Sequence, residues 1–197
     1  RLYLEAFQAT GDPALAQVAR ETLDYVGREM THPDGGSYSA QDADSEGVEG
    51  KFFVWTPDEI AAVVGADRAE LVCRFYDVTT EGNFEHENIL HRTLDFEQTA
   101  RLFGKTPEEV SQIVAEARSA LFAARALRVP PGRDEKIITS WNALMIAAFA
   151  EAAKVLGDAA YRDTAERAVR FVREKLHRDG RLLHAWTAGE AKLDAYL

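Results

Sequence analysis

Leu4-Glu5-Ala6-Phe7-Gln8-Ala9-Thr10-Gly11-Asp12 has a counterpart far along the same chain in Ala150-Glu151-Ala152-Ala153-Lys154-Val155-Leu156-Gly157-Asp158. Each is the end of an apolar helix, closed by a glycine and followed by an aspartate suited to capping the next helix. The following helices match too. Leu15, Val18, Ala19, Leu23, Val26 and Met30 form one stripe in the first copy, and Tyr161, Ala165, Ala168, Val169, Val172 and Leu176 form one in the second. Val26 through Asp34-Gly35 then corresponds to Val172 through Asp179-Gly180 with one residue deleted. A single helical pair cannot cover its own apolar face, so such repeats stack. The contrast between all-round apolar and one-sided helices predicts two concentric layers, an α/α toroid, rather than a simple bundle.

Between the copies, Lys51 to Trp55 has the aromatic and β-branched content of a short strand. Thr56-Pro57-Asp58-Glu59 and Thr106-Pro107-Glu108-Glu109 are capping boxes that open helices. The first runs to Val64, and Asp67 is read as the cap of another helix reaching Tyr76. Thr80 to Arg92 reads as loop and short strand, and the helix after Thr106 stops before Pro130-Pro131-Gly132. Ser140 is read as the cap of a helix containing Trp141, Leu144, Met145, Ile146 and Phe149, apolar nearly all round and so expected to be buried on most sides. The fold class expected is all-α, part of an α/α toroid with a short β insertion, in a single domain over residues 1–197. The count is about seven helices where a closed ring of six hairpins has about twelve, which predicts open apolar edges. Arg1 to Ala9 reads as helix interior and Ala195-Tyr196-Leu197 carries no cap, so a piece of a longer chain is expected.

A net charge of -10 without clusters of Lys and Arg argues against nucleic-acid binding. The longest apolar run, Ala143 to Ala150, is too short to span a bilayer, so no membrane association is expected. Cys73 is the one cysteine, which rules out an intrachain disulfide or a thiolate metal cluster and suits the cytoplasm. Its apolar neighbours make it a core residue rather than a nucleophile.

Gly35-Gly36-Ser37-Tyr38-Ser39-Ala40-Gln41-Asp42-Ala43-Asp44-Ser45-Glu46-Gly47 interrupts the helices with acids at alternate positions. Asp42, Asp44 and Glu46 followed by Gly47 resemble the start of a calcium loop, but Phe53 stands where the bidentate glutamate belongs, and no metal or other cofactor is called for. Two readings remain. The acids are turn residues bonding nearby backbone N–H groups, or Asp42 and Glu46 are the acid and base of glycoside chemistry with Asp44 positioning the substrate. Lys136, Trp141 and Asn142 lie just before and within the first turn of a helix, where free N–H groups favour hydroxyl-rich or anionic ligands. In the substrate-binding reading Trp141 stacks on a sugar ring and Asn142 bonds its hydroxyls; in the other they are core and cap. Epimerisation requires a base near neutral pH, for which His91 is the first candidate and His184 the second, set against structural roles for both.

Gly36 to Glu59, Glu81 to His91 and Asp134-Glu135-Lys136-Ile137-Ile138-Thr139-Ser140-Trp141-Asn142 through Ile146 resemble the thioredoxin-domain-containing proteins related to spermatogenesis-associated protein 20. The resemblance covers nearly the whole chain. It implies a longer protein with a thioredoxin-like domain ahead of a toroid similar to six-hairpin glycosidases and N-acylglucosamine 2-epimerases. Carbohydrate is then the implied ligand, and the thioredoxin-like domain of the same chain the implied partner. A non-catalytic binding or scaffold module serving that domain is the rival. Glu135 and Ala143 depart mildly from the family pattern. Ala195 stands where an acid precedes the tyrosine at 196, which puts a site at that edge in doubt.

Overall fold

The computed structural model describes residues 1–195, so Tyr196 lies outside the described residues. It is mainly helical. The helices are α1 (Leu2–Thr10), α2 (Pro13–Glu29), α3 (Pro57–Val64), α4 (Ala66–Phe75), α5 (Phe96–Phe103), α6 (Pro107–Arg125), α7 (Thr139–Leu156) and α8 (Ala159–Lys175). Short antiparallel strands join them: β1 (Ala40–Gln41), β2 (Asp44–Ser45), β3 (Val48–Glu49), β4 (Arg133–Asp134), β5 (Ile137–Ile138), β6 (His177–Arg178), β7 (Arg181–Thr187) and β8 (Glu190–Asp194). Two compact units result, one from Arg1–Gln41 with Arg133 onward and one from Asp42–Gly132.

In the first unit the sequence repeat is a repeat of geometry. Gly11 (φ 73) and Gly157 (φ 68) close α1 and α7 in the left-handed conformation, which glycine adopts without a Cβ penalty. Asp12 then accepts from Ala14 N–H and Asp158 from Ala160 N–H, each capping a helix of 17 residues. The chain leaving α2 returns so that Tyr38 N–H donates to the Met30 carbonyl; the chain leaving α8 returns so that Leu183 N–H donates to the Leu176 carbonyl. The two hairpins pack on each other around Leu4, Leu23, Val26, Phe149, Ala152, Tyr161 and Phe171. Burying each phenylalanine stabilises the unit by roughly 1.5–3 kcal/mol. Polar ties fix the docking. Arg1 Nε reaches Glu151 at 2.6 Å, Arg20 donates to the Leu156 carbonyl at 3.1 Å and pairs with Asp158 at 3.5 Å, and the Tyr161 hydroxyl donates to Asp24 at 2.8 Å.

In the second unit α3, α4 and α6 enclose Trp55, Ile60, Val72 and Leu121, and α4, α5 and α6 enclose Leu71, Phe75, Ala100, Val110 and Val114. Both predicted capping boxes form, with each threonine hydroxyl accepting from the N3 amide and each glutamate reaching back.

Several expectations are corrected. Helix α5 is an element beyond those expected, opened by a third capping box at Asp95 and Gln98 and closed by Gly104. Lys51 to Trp55 is not a strand: Phe53 and Val54 N–H groups both donate to the Gly50 carbonyl, curling the segment into turns. Asp67 does not cap α4, which starts at Ala66 with Gly65 (φ 88) in the N-cap position, directly after α3. Ser140 is not the cap of α7, because the helix already begins at Thr139 after strand β5. Helix α7 is not buried on most sides, since Trp141 is 54% and Leu144 67% exposed. With Leu2 and Tyr3 of α1 also exposed, the expected apolar edges are present.

Candidate functional site

The acid-rich stretch is a β-hairpin. Strands β2 and β3 pair Asp44 with Glu49 and Ser45 with Val48, leaving Glu46 (φ 54) and Gly47 (φ 76) as a two-residue turn. Positive φ at both central positions is the primed turn whose twist matches the strands. The acids belong to this local scheme. Asp42 Oδ1 accepts from Asp44 N–H at 3.3 Å, while Asp42 N–H donates to the Gly132 carbonyl. Glu46 Oε2 lies 2.7 Å from Lys51 Nζ. Asp42, Asp44 and Glu46 are all exposed. The Ser45 hydroxyl, buried between them, donates to the Val129 carbonyl.

Glu46 borders a cleft of about 330 Å³, whose other charged residues are Lys51, Glu59, Glu87 and Arg128. Two pairs of these charges are already matched, Glu46 with Lys51 and Glu59 with Arg128. Sequence reasoning missed Arg128. Its guanidinium donates to the carbonyls of Lys51, Phe52 and Val54 and lies 4.1 Å above the buried Trp55 ring, so it holds the turns after the hairpin together. No spacing rule marks an arginine that binds carbonyls of a distant turn.

His91 is placed elsewhere in this unit. Its Nε2 lies 3.3 Å from Asp77 Oδ2, and its Nδ1 lies 3.2 Å from Asn83 Nδ2. With Asn83 as donor, Nδ1 accepts and Nε2 carries the proton toward Asp77. Asp77 (φ 55) is in the left-handed region, and Asn83 also closes the loop through both polar groups of Ile89. The arrangement orients an exposed imidazole, with no contact to Asp42 or Glu46 among the described residues.

Lys136, Trp141 and Asn142 belong to the first unit. Lys136 Nζ bonds Asp134 Oδ2 at 2.8 Å, and Lys136 N–H donates to Asp134 Oδ1; these bonds hold the Asp134 carboxyl below its usual range. Arg133 stacks 4.1 Å over Tyr38, whose phenol is pushed up by burial against the opposing pull of that arginine. Trp141 presents its indole in the first turn of α7, 54% exposed. Asn142 does the opposite. It is 1% exposed: Ser37 N–H donates to its Oδ1 at 2.7 Å, and its Nδ2 donates to the carbonyls of Ser37 at 2.9 Å and Ile138 at 3.0 Å. The Asn142 amide is thus engaged on both its oxygen and its nitrogen by backbone groups of Ser37 and Ile138.

Asn88 plays the same part in the second unit, fully buried and bonded to the Trp55 carbonyl and to both polar groups of Thr79. Tyr38 and Trp55 are core residues. His32 lies against the rings of Tyr38, Phe171 and Trp186. Among the described residues no group of three or more His, Cys, Asp or Glu could hold a metal ion, and no helix is long and apolar enough to cross a membrane.

No family model matches the chain. Spermatogenesis-associated protein 20 of Homo sapiens is 31% identical over 95% of the chain, and the Mus musculus protein of that name is 33% identical over 79%. The chain belongs to the spermatogenesis-associated protein 20 family. An uncharacterized protein of Caenorhabditis elegans is 30% identical over 79% of the chain. The chain spans about a quarter of the length of these relatives: 27%, 23% and 24% of the human, mouse and nematode proteins.

Proposed function

We propose that the chain is part of an α/α toroid that acts as a non-catalytic binding module in a longer cytoplasmic protein, serving a thioredoxin-like domain of that protein. The reading of a toroid draws support from the repeated hairpins and the apolar faces left open on α1 and α7. One observation carries the non-catalytic part. The two carboxylates with the best claim to chemistry sit in an exposed hairpin, Asp42 bracing Asp44 N–H and Glu46 paired with Lys51. Glycoside chemistry needs two carboxyl groups aimed at one scissile bond, and here each is engaged by a neighbour within the turn.

Carbohydrate binding is the second reading, favoured by the half-exposed Trp141 indole at the start of α7. An aromatic face beside free helix N–H groups suits a sugar ring. Turnover as an epimerase or glycoside hydrolase would extend it. Proton NMR of a sugar panel with the full-length protein and its Asp42→Asn variant tests both. The expected result is no new anomeric signal with either protein. New signals that vanish in Asp42→Asn overturn the non-catalytic reading, and line broadening lost in Trp141→Ala establishes binding without turnover.

A further inference from the structure

The two hairpins of the first unit meet head to tail, through different faces of the same repeat. Hairpin α1/α2 docks with Arg1, Leu4, Arg20 and Asp24, whereas α7/α8 receives it with Glu151, the Leu156 carbonyl, Asp158 and Tyr161. Equivalent residues lie 146 apart, as Gly11 to Gly157 and Asp12 to Asp158 show. The docking face of α1/α2 therefore recurs on α7/α8 as Ala147, Ala150, Glu166 and Arg170, with Val169 in the place of the buried Leu23. On α7/α8 this face is uncovered. Ala150, Ala153, Glu166, Val169, Arg170 and Arg173 line a groove of about 1130 Å³, and Val169 is 40% exposed where Leu23 is 6%. The receiving face is open on α1/α2 in the same way, since Tyr3 is 47% exposed where its equivalent Phe149 is 2%. Head-to-tail contacts of this kind do not saturate themselves; each leaves a face for the next unit, in a closed ring or an open superhelix.

We propose that in the full-length protein this groove holds a further helical hairpin of the same polypeptide, carrying a basic or hydroxyl group opposite Glu166 and an acid opposite Arg170. The proposal rests on the toroid reading and adds which face is filled and by what chemistry. Charge complementarity selects the occupant. In the observed contact Arg20 meets Asp158, Asp24 meets the Tyr161 hydroxyl and Arg1 meets Glu151. A second copy of this chain would bring Asp12 against Glu166, Leu15 against Arg170 and Glu5 against Ala147, replacing three polar ties by one repulsion and two mismatches. Lys154, Arg170 and Arg173 in the groove make no ion pair among the described residues, so an acidic helix face has partners waiting. The family members are about four times as long as this chain, which leaves ample sequence for the hairpin.

Maleimide labelling of full-length variants tests this. Val169→Cys reports the groove, Tyr3→Cys the opposite open face, and Gln17→Cys the polar face of α2. Labelling at Val169→Cys is expected to be about tenfold or more slower than at Gln17→Cys, at every protein concentration. Equal rates overturn the proposal, and protection that appears only as concentration rises overturns it in favour of a second copy. If Val169→Cys reacts while Tyr3→Cys is protected, the groove proposal fails and the toroid stands; if both react like Gln17→Cys, the toroid reading fails as well. Should Val169→Cys not fold, hydroxyl-radical footprinting of unmodified full-length protein reads Val169 and Tyr3 directly, with the same outcomes. Sugar turnover is a separate measurement and leaves these results unaffected.

Discussion

Replacing Asn142 by alanine separates a structural amide from a ligand-binding one. The substitution leaves the buried N–H and carbonyl of Ser37 without partners, since those two groups bond Asn142 at 2.7 and 2.9 Å. Each buried backbone group left unpaired costs about 1–3 kcal/mol, so the pair costs about 3 kcal/mol, with a small cavity added. For a domain of this size that lowers Tm by roughly 6–12 °C. The Gly35-Gly36 loop should loosen at the same time, because Gly36 packs where a Cβ would come within 2.9 Å of Phe171 and Ile137 and the loop has no slack to re-form the bonds. Thermal and urea unfolding of wild type and Asn142→Ala, with hydrogen exchange at Ser37, provide the assay. An unchanged Tm together with loss of a bound ligand would refute the reasoning and return Asn142 to a binding role.

Arg128→Met removes donors to three carbonyls and the partner of Glu59, and the expected cost of about 2–4 kcal/mol appears as a lower urea midpoint. Glu46→Asn should leave stability unchanged or raise it by about 0.5 kcal/mol, because asparagine tolerates the positive φ of this turn better than glutamate; a loss above about 1 kcal/mol would contradict the hairpin geometry. Tyr161 is pushed up to about 12 by burial and by its hydrogen bond to Asp24. A raised folded-state value means the protein holds this proton after the unfolded chain has released it. The resulting stability is complete below about pH 10 and is lost as pH rises toward 12. Urea midpoints across that interval should fall in wild type and lose this component in Tyr161→Phe. Asp95→Ala removes the cap of α5 and should cost about 1 kcal/mol, read from the urea midpoint.

Sequence alone determined the helical character of this chain, the two capping boxes that form as read, and the repeat of Gly-Asp-capped hairpins, because caps and apolar stripes are written in residues three or four apart. The acids were legible as a group, and so was the choice between turn and site. Tertiary structure decided between neighbouring possibilities that share the same local code. Asn142 can cap a helix, bind a sugar or bond a loop, and only the approach of Ser37, 105 residues away, makes it the third. Lys51 to Trp55 has strand composition but, among the described residues, no ladder partner beyond the Trp55–Asn88 bridge, so the carbonyls of Lys51, Phe52 and Val54 turn to Arg128 instead. Helix α5 shows the converse: its box at Asp95 and Gln98 and its closing Gly104 are written in local sequence and form as such. Helix α7 is apolar all round, yet how much of it is covered depends on what packs there. Burial is a property of neighbours brought from elsewhere in the chain, and the pattern within one helix states only which faces need them.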